Sequence, residues 1–158
     1  MVLHLVVVGR VKNDSLCEAC AKYEKRIRNY TPLEVREVRN AGRTDRMADY
    51  VRRKECEALA KALPRGAHVV ALTRTGRSIS SADLAERLRT WRDGSRDVAF
   101  VIGGAHGLDP ALVEAAQETL SLSTMTLPHE LARLVLLEQL YRACTILRGE
   151  PYHKGGDR

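Results

Sequence analysis

A chain of 158 residues fits a single domain, and at that size about 70% of the unfolded surface is buried, so neither disulfides nor a metal is needed for stability. Its 26 basic against 20 acidic side chains leave a formal charge of +6, a modest lean toward polyanions. One Phe and one Trp argue against a surface that grips single strands by stacking many bases, so nucleic-acid contact is expected to rest on phosphates and shape. No apolar run nears the ~20 residues that cross a bilayer. The short opening run is interrupted by His4, ends at Gly9 and lacks a signal-peptide cleavage site. The expected compartment is the cytoplasm.

Apolar runs bounded by turn residues alternate with helical patterns, the signature of a parallel sheet with helices on its faces. The first strand is read at Leu3–Val8. A helix over residues 15–30 carries Leu16, Cys20, Tyr23 and Ile27 on one stripe, with Ser15 and Glu18 as its capping pair. Residues 33–38 alternate Leu33 and Val35 with outward Glu34 and Arg36, a less completely buried strand. A helix over residues 44–63 stops at Pro64-Arg65-Gly66. The third strand spans 68–73, and residues 73–77 read as a basic, flexible loop. Ser80 and Asp83 open a helix with Leu84, Leu88 and Trp91 inward and Gly94 near its end. The fourth strand, 98–102, runs into a glycine turn, and Pro110 suits the first turn of a short helix. A fifth strand is expected near 120–123, and a last helix from 128 or 129 to 147. Residues 148–158 read as an irregular tail.

In the last helix, Leu131, Leu134, Val135, Leu136, Leu137, Leu140, Tyr141, Cys144 and Leu147 cover most of the circumference. Such a helix must be covered on more than one side. A second copy of the same helix across a two-fold axis would do this. Burial in the core of one chain is the alternative. Of the four cysteines, Cys17 and Cys20 form a C-x-x-C. Without a second ligand pair of matching spacing, they read as small apolar residues on one helix face, reduced and inert.

Two segments at the ends of buried strands can carry chemistry, because open α/β sheets bind ligands at their carboxyl edge. Gly103-Gly104-Ala105-His106-Gly107 resembles a nucleotide-cradling turn but is neither G-x-G-x-x-G nor a P-loop, and strand-to-helix geometry alone also calls for glycine. Residues 122–128 offer hydroxyls and free backbone groups walled by Met125 and Leu127, which suits an adenine ring. An ordinary helix start, with Thr126 as cap and Pro128 in the first turn, is the competing reading.

Together with Tyr152 and His153 after Pro151, these blocks resemble the small SPOUT-class RNA methyltransferases. More narrowly, they resemble the RlmH (YbeA) family of ribosomal large-subunit pseudouridine N3-methyltransferases. The likeness runs from V-V-V-G-R near the start to the tail. It is strongest in V-I-G-G-A-H-G-L, L-S-L-S-T-M-T-L-P-H and Y-R-A-C-T-I-L-R-G-E-P-Y-H, a highly specific series in this order. The resemblance implies a single-domain α/β fold with a deep trefoil knot in its C-terminal part, a feature no strand pattern predicts. It also implies a homodimer that binds S-adenosyl-L-methionine in the knot loops. The implied reaction is methylation of N3 of a pseudouridine in the helix 69 loop of 23S rRNA, within the assembled ribosome. No metal and no membrane is implied. By position, the resemblance assigns cofactor contacts to Leu72, Gly103, Leu122, Ser123, Thr124, Met125, Thr126 and Leu127, and the acceptor base to the neighbourhood of His129, Arg142, Tyr152 and His153. The chain departs from the family in two places: it continues past His153, and Arg148-Gly149-Glu150 stands where relatives often carry an Asn-His pair.

Methyl transfer from a sulfonium is an in-line displacement, so the protein must chiefly align the partners and remove the acceptor's proton. His129 can take that proton or orient the base, or can make a purely structural hydrogen bond. Arg142 can hold a phosphate or a carbonyl oxygen, but four residues after Glu138 it also suits a helix ion pair. Tyr152 and His153 can close over the base, or belong to a frayed terminus. The rival functions are a SPOUT enzyme acting on tRNA or a ribose 2′-hydroxyl, a non-enzymatic ribosome-associated protein, and a thiol redox protein.

Overall fold

A computed structural model describes residues 1–42 and 45–152. Strands β1 (Leu3–Val8), β2 (Leu33–Val38), β3 (His68–Ser78), β4 (Val98–Ile102) and β5 (Glu118–Ser121) form one sheet in the order β2-β1-β4-β3-β5. Every pairing is parallel, which requires crossover segments and cover on both faces. That cover comes from α1 (Asp14–Arg28), α2 (Ala48–Ala62), α3 (Ser81–Asp93), α4 (Pro110–Ala115) and α5 (His129–Leu147). On one face Leu3, Leu5, Val7, Val70, Phe100 and Ile102 pack with α1, α3 and α5. On the other, Val6, Val8, Ala71 and Val101 meet Leu59 of α2 and Leu112 of α4. All residues of β1 and β4 are buried, whereas edge strand β2 alternates, as the two kinds of apolar run foretold.

Several boundaries differ from the sequence expectation. Asn13, not Ser15, caps α1: its side chain accepts the Leu16 N–H at 3.0 Å, leaving Ser15 and Glu18 inside the helix. A 3-10 turn at Asp45–Met47 precedes α2, and Thr44 lies outside the described residues. The expected loop at 73–77 is instead the continuation of β3 past a register irregularity. Leu72 and Arg77 both stand opposite Leu120, and Ser78 opposite Ser121. Glycine at 76 makes this possible, since a Cβ there would fall 2.6 Å from the Leu120 backbone carbon. Strand β5 ends at Ser121, so Leu122 and Ser123 leave the sheet.

Helix α5 packs against α1, α3 and β4. Leu136, Leu137, Leu140 and Ala143 are sealed beneath it. Much of its apolar circumference is therefore covered within one chain, while Leu131, Leu134 and Val135 stay half-buried.

Candidate active site

The sheet order brings the carboxyl ends of β4, β3 and β5 side by side. Gly103 follows β4, Leu72 closes the first half of β3, and residues 122–127 follow β5. His129 starts α5 at the same edge. Gly103 and residues 122–127 thus sit at strand ends, with Leu72 between them at the register irregularity inside β3, and the expected base follows at once in the chain.

The glycine turn folds onto itself. A Cβ on Gly103 would lie 2.6 Å from both the carbonyl carbon and oxygen of Gly107. Gly107, at φ +76°, donates its N–H to the Gly104 carbonyl at 3.1 Å. Both glycines are sterically required, and the turn presents bare backbone at the end of β4.

The bend after β5 is held by its own hydroxyls. Ser121 Oγ lies 2.9 Å from the Ser123 carbonyl and 3.1 Å from that of Arg74. Ser123 Oγ accepts the Met125 N–H at 3.0 Å, and Arg74 reaches Thr126 Oγ1 at 3.3 Å. Thr124 and Thr126 are exposed, Met125 is 74% exposed, and Leu72, Leu122 and Leu127 are half-buried. Beside Leu122 lies a hollow of about 140 Å³, bounded by Ile79, Leu84, Leu120, Val135 and Gln139. Thr126 does not cap α5, because Pro128 occupies the cap position and makes no side-chain capping bond.

His129 lies over Gly9, where a Cβ would come within 3.7 Å of its Nε2. The start of α5 is anchored by residues that sequence reasoning did not single out. Glu130 Oε2 accepts the N–H groups of Lys12 and Asn13 at 3.1 and 3.3 Å, tying down the loop after β1. Arg133, only 8% exposed, reaches Glu37 of β2 at 2.6 Å and Glu24 of α1 at 3.2 Å. Burial alone would lower its pKa, but hydrogen bonds to both carboxylates outweigh that and raise it.

Glu55 was also missed. It stands on the buried stripe of α2 between Val51 and Leu59 and is 2% exposed. Oε1 accepts the Ala41 N–H at 3.2 Å, and the carboxylate presses on the backbone of Gly104. Burial pushes its carboxyl above the ordinary range, against the Ala41 amide, His106, the Gly104 amide and His129, which favour the anion. A carboxylate on an otherwise apolar stripe is the signal that could have found it.

Arg142 and Tyr152 occupy the other end of α5. Thirteen residues separate 129 from 142, about 20 Å of helix at the usual rise. Arg142 Nε and one terminal guanidinium nitrogen reach Glu138 Oε1 at 3.1 and 2.7 Å, the helix ion pair. Its guanidinium also sits 4.8 Å from the Tyr152 ring centroid. The Tyr152 hydroxyl donates to Glu138 at 3.1 Å and lies 3.3 Å from that of Tyr23, and its ring meets Tyr141 edge-on at 4.7 Å. Burial first, then Tyr23 and Glu138, raise the Tyr152 pKa. The tail is therefore docked, not frayed, as far as Tyr152; His153 lies outside the described residues.

Burial raises the thiol pKa of Cys20, and that of Cys144 to about 11, while Cys17 is exposed, so the C-x-x-C does not lie on one buried face.

The family model described as "Predicted SPOUT methyltransferase" matches residues 1–153. A protein of Gemmatimonas aurantiaca named "Ribosomal RNA large subunit methyltransferase H" is 51% identical over 150 residues, 95% of this chain and 97% of that one. One of the same name from an Anaeromyxobacter species is 49% identical, across 98% of this chain and 100% of the other. Among solved structures, a probable methylase family protein from Haemophilus influenzae superposes with a TM-score of 0.58 at 12% identity, covering 99% of this chain and 72% of that one. A structure titled for 2-OH methylation of C/U34 on tRNA superposes with a TM-score of 0.51 at 20% identity, covering 94% and 98%. At these identities the superpositions speak for the fold.

Proposed function

The chain belongs to the SPOUT methyltransferase family, and on that premise we propose that it transfers a methyl group from S-adenosyl-L-methionine to N3 of a pseudouridine in 23S rRNA. The observation that carries the reading is that Gly103 and residues 122–127 follow neighbouring strands β4 and β5 on either side of Leu72, at the irregularity inside β3, with His129 next in the chain. The name carried by the two similar relatives supports ribosomal RNA as the substrate.

The residues present fit this cofactor. Leu72, Leu122 and Leu127 offer half-buried apolar walls, and the bare Gly103 turn and the bend after Ser121 offer backbone partners for a flat heterocycle. When bound, the sulfonium supplies an electrophilic methyl group and a neutral thioether as its leaving group. His129 accepts the N3 proton or orients the base, given room by the missing side chain at Gly9 and placed by the anchors at Glu130 and Arg133.

Arg142 lies about 20 Å along α5 from His129, too far to serve the same base within one chain, and Tyr152 packs on its guanidinium. The reading therefore includes a homodimer in which Arg142, Tyr152 and His153 of one protomer complete the site around His129 of its partner. The half-buried Leu131, Leu134 and Val135 supply an apolar face for that contact. The deep trefoil knot, the helix 69 loop as target, the assembled ribosome as its carrier and a cytoplasmic location belong to the same reading. A net charge of +6 is a small footprint for so large a target, which favours a base presented by the ribosome's own shape.

Titration calorimetry with S-adenosyl-L-methionine, followed by mass spectrometry of RNA incubated with the protein, tests this. Binding of the cofactor and one new methyl group on a 23S pseudouridine of intact ribosomes are expected. Methylation confined to tRNA or to a ribose hydroxyl would move the substrate assignment, and no cofactor binding even with ribosomes present would end it.

A further inference from the structure

We propose that Glu55 is a positioning residue for the glycine turn, reaching from α2 on the far face of the sheet to fix the backbone that receives the cofactor. The inference rests on the cofactor reading above and adds to it a residue that touches neither donor nor acceptor.

Its place is unusual for a carboxylate. Val51 and Leu59, one turn to either side, are core residues, and Glu55 is as buried as they are. Leucine would fill that volume without desolvating a charge, and buried ionic groups are commonly replaced by apolar ones at no loss of stability. Retaining a carboxylate here is costly for folding, so its use must lie in what it touches. Oε1 accepts the Ala41 amide from the segment after β2 at 3.2 Å. Oε2 is buried and has no partner of hydrogen-bond geometry among the described residues. It ends against Gly104, where a Cβ would stand 2.8 Å from Oε2, 3.0 Å from Oε1 and 3.1 Å from Val8 Cγ1 of β1. One side chain is thus wedged among the segments following β2 and β4 and the end of β1.

Gly104 directly follows Gly103, and Gly103 has no freedom of its own because Gly107 closes over it. Holding Gly104 therefore holds the whole turn. The charged or titratable groups around the carboxylate are His106, on the same turn, and His129, at the start of α5. Glu55 lies where the two halves of the proposed site meet.

The test compares E55Q with wild type and with L59V, which weakens the same core away from the turn. Glutamine keeps the shape but places an amide donor where a carboxylate oxygen stood. Cofactor affinity by calorimetry, unfolding midpoints, and KM and kcat on ribosomes are measured for each. E55Q is expected to bind S-adenosyl-L-methionine at least about ten-fold more weakly, the scale of setting a buried amide N–H against the Gly104 backbone in place of a carboxylate oxygen. Its KM for the cofactor should rise with kcat nearly unchanged, whereas L59V lowers the midpoint and leaves both constants alone. Should E55Q fail to fold, G104A asks the same question from the other side, since its methyl group displaces the carboxylate. Its affinity loss is expected to be partly recovered in the E55A/G104A double variant, which makes room. Wild-type affinity in E55Q, or strictly additive losses in the double variant, overturns the proposal. If wild-type protein itself takes up no cofactor, the functional reading fails instead.

Discussion

Replacing Arg133 by alanine removes the cation that links Glu24 to Glu37, leaving Glu24 with Arg28 at 3.4 Å, and so tests what holds the start of α5 in place. Arg133 is one turn beyond His129, and its contacts reach β2 at 2.6 Å and α1 at 3.2 Å, joining three elements. Breaking a buried ion pair by deleting one partner costs about 3–5 kcal/mol. Here Glu37 keeps 34% of its side-chain surface in water and Glu24 keeps 14%. Part of the uncompensated charge can therefore be rehydrated, and we expect a loss below that range, about 2–3 kcal/mol. For a domain of this size that lowers the melting temperature by about 5–10 °C. Urea unfolding at neutral pH reads the free energy, and cofactor calorimetry on the folded variant reads the site. The E24Q/E37Q double variant is expected to lose less than R133A, because each glutamine keeps an acceptor oxygen for the guanidinium and the apolar stem of Arg133 stays packed. A loss below about 0.5 kcal/mol for R133A, the scale of an ordinary surface substitution, would refute the assignment of Arg133 as the clamp on α5.

G103A is expected to abolish cofactor binding, because its methyl group would meet the Gly107 backbone at 2.6 Å with no flexible side chain to yield; calorimetry checks it, and near-normal affinity would contradict the turn's role. H129A and R142A are each expected to be inactive alone. Refolded together, they should regain about a quarter of wild-type activity, since half the dimers are mixed and each mixed dimer carries one intact site. No recovery in methyl incorporation would argue against a shared site. Glu55 also makes a pH prediction. Its folded pKa is raised above the ordinary 4.5, so the native state holds the proton more tightly than the unfolded chain. The stability it contributes is full below 4.5 and is lost as pH rises through the folded pKa. Thermal midpoints of E55Q relative to wild type should therefore climb as pH rises through that window, and a flat difference would contradict the burial argument.

Much of the fold was legible because burial leaves a direct mark on sequence. β4, covered on both faces, reads as an unbroken apolar run, β1 as one broken only by His4, and β2 at the edge as an alternation. The α3 capping box could be read from Ser80 and Asp83, since it involves only neighbours. The misread segment, residues 73–77, failed for a nonlocal reason. Gly76 looked like a loop glycine, yet it is required by Leu120, a residue 44 positions later in the chain. The cap of α1 failed more locally: Asn13 and Ser15 are both good caps, and backbone geometry chose between them.

At the site, local residue patterns marked the segments that can meet a ligand. Glycines and hydroxyl residues after buried strands are local facts, and so is the helix that starts at His129. How those segments are shared out followed from packing. It set the strand order that makes Leu72, Gly103 and Leu122 neighbours, and it put the length of α5 between His129 and Arg142. It also turned Glu55 and Arg133 inward, where their charges brace the loops and the helix. The physical reason is range. Propensity and periodicity act over a few residues, whereas a buried charge is placed by partners brought from distant parts of the chain.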